Sequence, residues 1–121
     1  MKTPYLIFIV IITLLGIAHT ILGFNIYTSF DKDSFWFIGT GIALITSGIA
    51  NYMNYRINIP LTLWCVSIIN ILILIFSSVL TIRYQHIPAS LVAIFTAFLI
   101  ISSYIYKKKS VTQWQSLRKR Y

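Results

Sequence analysis

The chain has almost no acid. Only Asp31 and Asp33 carry a carboxylate, against ten Lys and Arg and two His in 121 residues. Both acids share one short segment, so no carboxylate pair from separate elements and no Ser–His–Asp set at one depth is on offer. A glycine-rich phosphate loop is missing too. The single cysteine, Cys65, has no intrachain disulfide partner and no Cys or His neighbour at metal-ligand spacing. It reads as a packed small hydrophobe. The histidines, His19 and His86, do not supply two haem ligands at one depth. These gaps point away from catalysis and call for no cofactor and no metal.

Charge is scarce overall. Charged residues make up 10% of the chain, hydrophobic ones 58%, and the mean hydropathy is +0.82, whereas a soluble domain carries roughly 25% charged residues. A water-soluble chain of this size cannot bury so much apolar surface. The formal charge of +8 would suit nucleic acid if the cations covered a folded face, but six of the ten Lys and Arg follow residue 106. The reading is therefore a membrane protein with no nucleic-acid partner.

What is present is four long apolar runs, about 5–26, 35–53, 61–82 and 87–106, none containing Asp, Glu, Lys or Arg. At about 1.5 Å per helical residue each matches a hydrocarbon core of roughly 30 Å. Pro4, Pro60 and Pro88 stand at the starts of three runs, where a missing N–H costs nothing. Thr3 is a candidate cap for the first, and Asp31 to Ser34 place carboxylates at the positive end of the second. The first run is too long for a signal-peptide core and has no small-x-small cleavage site, so it reads as a retained span.

The fold expected is all-α: an integral membrane antiparallel four-helix bundle over residues 1–106, followed by a basic amphipathic cytoplasmic tail over 107–121. With both termini cytoplasmic, that side holds Lys2, Arg56 and six tail cations, and the other holds Lys32 and Arg83. The localisation is then a cell inner membrane, crossed several times. Tyr5, Tyr27, Trp36, Tyr55, Trp64, Tyr84 and Tyr106 are placed to form interfacial belts. In the tail, Val111, Trp114, Leu117 and Tyr121 fall on one helical stripe flanked by cations. That segment either lies in the inner interface or is a solvated stop-transfer tail.

Helices in lipid associate by close packing at small residues rather than by hydrophobic drive. Gly16 and Gly23 are seven apart in the first run, Gly41 and Gly48 seven apart in the second. They predict a glycine seam between these two helices, with Ala18, Ala43, Ser47 and Ala50 near it. Asn51, Asn54 and Asn70 are amides that need partners. Asn51 is assigned to helix packing, and Asn70 to a polar layer with Thr46, Ser47 or Thr96.

Apart from thiol and phenol groups, His19 is the only ionisable side chain within any run. At that depth it should face the interior. Depth-matching antiparallel helices brings it level with Thr40 and Gly41, with Thr20, Ser77, Ser78 and Ser90 in the same half. This predicts a small polar pocket opening outward, with Trp36 and Asp33 near its mouth. The candidate ligand-binding residues are His19, Thr20, Trp36, Thr40, Ser77 and Ser78. A structural role for His19, bonding a threonine or a carbonyl, stands beside this, as do proton transfer and metal binding. His86 reads as a solvated loop residue.

By length and four-span layout the chain is similar to small multidrug exporters and to small flippases of lipid-linked sugars. The exporters rely on a membrane-embedded glutamate in the first span, and this chain has none. A pattern of Gly16, His19 and Thr20, then Trp36, Phe37, Gly39, Gly41 and Ala43, then Gly48 and Asn51, resembles a group of small bacterial four-helix membrane proteins without an established activity. That resemblance covers about a third of the chain and implies the fold and the choice of residues. The expected function is non-catalytic: binding or passing a small or lipid-like molecule in the pocket around His19. The other reading is an accessory or immunity-type membrane protein acting through a partner and its basic tail. Membrane lipids are the expected partners, with a homodimer or a protein partner in the membrane left open.

Overall fold

The computed structural model describes the backbone of residues 2–26, 32–85 and 87–118, and the side chains of 4–26, 33–85 and 87–107. Among the described residues there are four helices: α1 (Lys2–Ile26), α2 (Lys32–Ile57), α3 (Pro60–Tyr84) and α4 (Ile87–Arg118). Each is long and apolar enough to cross a membrane, over Pro4–Ile26, Asp33–Ile57, Pro60–Tyr84 and Ile87–Lys107. The surface agrees. Leu72, Ile75, Val79 and Ile82 of α3 are exposed, while Asn51, Asn54, Asn70, Ser47 and Thr96 are fully buried. A protein folded against water does the reverse.

The helix limits follow local chemistry. Proline is tolerated throughout a first turn, where its N–H would have no acceptor. Hence α1 starts at Lys2, ahead of Thr3 and Pro4, and Thr3 is not a residue preceding the helix. Asp33 lies in the first turn of α2, where its charge suits the helix dipole. α2 runs past the apolar run that ends near Met53, to Ile57, because Asn54 has internal hydrogen-bond partners. It stops at Asn58, which takes a left-handed φ of 52° and returns its N–H to the Asn54 carbonyl at 2.9 Å; asparagine is among the few residues suited to that conformation. Ile59 is extended, as the residue before Pro60 must be. α3 ends the same way at Gln85, φ 50°, whose N–H bonds Thr81 O. α4 continues without a break from the last apolar run into the basic segment.

Each helix packs against two others, in the cyclic order α1, α2, α3, α4. Contacts pair opposite ends of neighbours: Tyr5 bonds Asn51 of α2 and stacks near Tyr106 of α4, and Phe8 stacks on Phe98. Between α2 and α3, Asn54 meets Thr62 and Trp36 meets Phe76. The helices therefore share a terminal half, holding Tyr5, Asn54, Thr62 and Tyr106, and a turn half, holding Asp33, Tyr84 and Pro88.

The closest approach is between α1 and α2. A Cβ added at Gly16 would lie 2.8 Å from both the Gly41 carbonyl oxygen and the Ile45 nitrogen. One at Gly41 would run into the Thr20 hydroxyl and sit 2.8 Å from Gly16 O and from Thr20 N. These are backbone atoms that cannot move aside, so the crossing requires glycine on both helices. At Gly48 the obstacle is the Thr13 side chain, and at Gly23 it is chiefly the Ile38 side chain, 2.7 Å away. The flanking residues are arranged differently from expectation: Ala18 is exposed, Ala43 faces a cavity and Ser47 joins a polar network. Cys65 is exposed rather than packed, which a small apolar side chain tolerates where the surroundings are lipid.

Candidate functional site

The terminal half is filled by side chains that satisfy one another. Asn51 and Asn70 form a reciprocal amide pair, Nδ2 to Oδ1 at 3.0 and 3.1 Å. The Ser47 hydroxyl donates to Asn70 Oδ1 at 2.9 Å, and Asn51 Nδ2 also donates to Ser47 O at 2.8 Å. Tyr5 bridges the other two asparagines, donating to Asn51 Oδ1 and accepting from Asn54 Nδ2, each at 3.0 Å. Thr62 donates to Asn54 Oδ1 at 2.9 Å. Toward the end of this half the Tyr5, Tyr55 and Tyr106 rings cluster at centroid separations of 5.3 to 6.1 Å. Lys107 Nζ donates to the Asn58 carbonyl at 2.6 Å, which ties α4 to the α2–α3 turn.

This network differs from the anticipated polar layer. Asn70 meets Ser47 as expected, but its other partner is Asn51, since Thr46 spends its hydroxyl on Ile42 O. Thr96 is buried with its Oγ1 unpartnered. Tyr5, anticipated in an interfacial belt, is only 1% exposed. Its ring has the length to reach Asn51 and Asn54, and a phenol that finds two partners inside has no need of the interface.

The turn half instead contains a cavity of about 640 Å³, within the usual range for small-molecule sites. Its walls are helical stripes. α2 contributes Asp33, Trp36, Phe37, Thr40, Ala43 and Leu44, and α3 contributes Ile73, Phe76, Ser77, Leu80 and Tyr84. α4 adds Pro88, Ala89 and Val92, and α1 adds His19. The α2 stripe runs from Asp33 to Leu44, eleven residues apart, so the cavity is about 16 Å deep by helical rise. Leu44, Ile73 and Val92 form its inner end.

Four of the six sequence-predicted binding residues meet here: His19, Trp36, Thr40 and Ser77, with Asp33 beside them. The His19 ring is half-buried and stacks on Phe37 at a centroid distance of 4.0 Å and 13° between planes. Trp36 stacks on Phe76 at 5.9 Å. Thr20 and Ser78 do not line the cavity. Thr20 lies in the seam against Gly41, its hydroxyl donating to Gly16 O at 2.9 Å, and Ser78 is half-buried elsewhere on α3. His86 and Asp31 lie outside the described residues, as do the tail side chains Val111, Trp114, Leu117 and Tyr121.

The expected polar pocket is largely apolar. Thr40 donates to Trp36 O at 2.9 Å and Ser77 to Ile73 O at 2.7 Å, both within their own helices. Hydroxyls spent in this way leave their methyl and methylene groups as wall. Ten of the fifteen lining residues are apolar or tryptophan, and one, Asp33, is a carboxylate. Sequence reasoning missed Phe37, Ala43, Phe76, Leu80 and Tyr84 as wall residues. The signal was available: 33, 36, 37, 40 and 44 on α2 and 73, 76, 77, 80 and 84 on α3 follow one-face helical spacing.

Nine of the ten motif residues divide among three places. Gly16, Thr20, Gly41 and Gly48 lie on the seam, His19, Trp36, Phe37 and Ala43 on the cavity wall, and Asn51 in the network. Gly39 has open space where its Cβ would be. No family model, no curated protein and no solved structure matches the chain.

Proposed function

We propose that the chain is a bacterial-type inner-membrane protein, an antiparallel four-helix bundle with both termini cytoplasmic, that holds a small or lipid-like molecule without catalysis in an outward-facing cavity around His19. The observation that carries this reading is the contrast within one set of helices: an apolar cavity of about 640 Å³ in the turn half, above a terminal half filled by hydrogen-bonded asparagines. A cavity ending on Leu44, Ile73 and Val92, with that network beyond, favours holding a molecule over passing it through. The orientation rests on the excess of Lys and Arg at the terminal end.

Extraction in native lipid followed by mass spectrometry of retained molecules tests the reading. Wild-type protein should carry a defined molecule. Ala43→Trp, which places a large ring into the cavity, should lose it while keeping the wild-type unfolding temperature. His19→Ala should weaken retention without loss of fold. Equal loss of stability and retention in His19→Ala would make the histidine structural, and unchanged retention in Ala43→Trp would remove the cavity from the account.

A second reading, an accessory or immunity-type protein working through a partner, draws support from the uninterrupted continuation of α4 to Arg118, beyond the apolar segment that ends at Lys107. Deleting 108–121 separates the two. Lys107 is kept because it bonds the Asn58 carbonyl. Recruitment of a partner should fail in the truncated chain, whereas retention of a molecule in the cavity should survive.

A further inference from the structure

Resting on the cavity reading above, we infer that the occupant is an amphiphile with an ammonium head group, held by Asp33, Trp36 and Tyr84 at the cavity rim, its apolar part lying along the α2 and α3 stripes. An apolar wall has little power to select. Inside a bilayer a hydrocarbon chain is as well solvated by lipid as by Leu, Ile and Phe, so the wall alone gives little preference for any occupant. Selection must come from the polar groups.

Among the described lining residues the one formal charge is negative. Asp33 is the single carboxylate among the lining residues, and no described Lys or Arg lines the cavity. In a chain with two acids and ten basic residues, the described lining residues thus carry a formal charge opposite to the chain's net charge. Asp33 is exposed but shares the cavity lining with Trp36, Tyr84 and Pro88, and opposite charges at a protein surface attract one another more than they do in bulk water. Asp33 repels a phosphate or a carboxylate for the same reason.

The aromatic rings add a matching term. Trp36 and Tyr84 are 58% and 70% exposed and both line the cavity, with one face of the Trp36 indole stacked on Phe76 and the other left for a ligand. Indole and phenol faces attract ammonium groups, most strongly where water is partly excluded. Asp33, Trp36 and Phe37 fall on one face of the first turns of α2, and Tyr84 closes the end of the α3 stripe. Charge, ring faces and a deep apolar trough are thus arranged in sequence from the rim inward. That order matches an ammonium head followed by a hydrocarbon tail.

The test uses the full chain in neutral maltoside micelles, with Trp64→Phe and Trp114→Phe so that Trp36 is the only tryptophan. Binding of dodecyltrimethylammonium, dodecanol and dodecyl sulfate is followed by Trp36 fluorescence. The ammonium probe should bind at least about tenfold more tightly than the alcohol, a difference of about 1.4 kcal/mol, and the sulfate should bind most weakly. Asp33→Asn should erase the ammonium preference. Phosphatidylethanolamine and phosphatidylglycerol, added as competitors, then distinguish the source. Displacement by the former alone identifies a membrane lipid, and displacement by neither identifies a free cationic amphiphile. Equal binding of alcohol and ammonium, both blocked by Ala43→Trp, would overturn the head-group inference and leave the cavity reading standing. No binding of any probe would overturn both.

Discussion

The two halves of this protein solve the same problem in opposite ways. In the terminal half, polar side chains look inward and satisfy one another across helices, from Tyr5 through Asn54 and Asn51 to Asn70 and Ser47. In the turn half, Thr40, Ser77 and Ser90 return their hydroxyls to carbonyls of their own helices. The interior there is left apolar and partly empty. Polar residues therefore close one end of the helix set and do not close the other. In lipid, where burying hydrocarbon gives helices no reason to associate, the glycine seam holds α1 to α2 along both halves, the network ties the terminal half together, and the cavity lies beyond the network.

The largest way to break this contrast is at the seam that joins both halves. Gly41→Leu forces a side chain against Gly16 O and the Thr20 backbone, and should cost about 3 kcal/mol by overpacking against atoms that cannot yield. Unfolding followed by circular dichroism in detergent checks it, and normal stability would discard the seam. Asn51→Leu comes next, since it leaves the buried Asn70 Nδ2 without its acceptor and takes one partner each from Tyr5 and Ser47, which keep Asn54 and Asn70. A loss of about 2 kcal/mol is expected from buried groups left unpaired. The double variant Asn51→Leu with Asn70→Leu should cost less than the sum of the singles, because the two amides serve one another; strict additivity would mean that the pair is not formed.

The turn half should respond differently. Thr40→Ala and Ser77→Ala should each change stability by less than about 0.5 kcal/mol, because each hydroxyl serves only its own helix and interhelical bonds are not lost. A loss comparable to that of Asn51→Leu would erase the distinction between the halves. The smallest effect should come from Gly39→Ala. Nothing stands where the new methyl would go, and alanine is the better helix former by up to about 1 kcal/mol, so the unfolding midpoint should hold or rise slightly.

Much of this was legible in the sequence, for reasons that vary by residue. The four helices were readable because uncharged apolar runs of bilayer length admit few other outcomes. The seam was readable because glycines at seven-residue spacing repeat on one helical face in both α1 and α2. His19, Trp36 and Asp33 were brought together by depth-matching alone. What depth cannot give is rotation. Thr20 is level with the cavity yet turned into the seam, and Tyr5 sits at an interface position yet reaches inward. Ala18 faces out for the same reason. The apolar character of the cavity was hidden because hydroxyls were read as free donors, whereas in a helix a serine or threonine is readily satisfied by the carbonyl three or four residues earlier.

The central claim is that the turn half holds an amphiphile between α2 and α3. Saturable photo-crosslinking with a diazirine-bearing long-chain ammonium in native-lipid discs tests it most directly, with labelled positions read by mass spectrometry. Labelling of cavity residues such as Thr40, Ile73 and Leu80 should saturate at one molecule per chain and vanish with excess unlabelled probe, while the exposed face of α3, at Leu72 and Ile82, labels without saturation. Identical, unsaturable labelling of both faces would contradict the account.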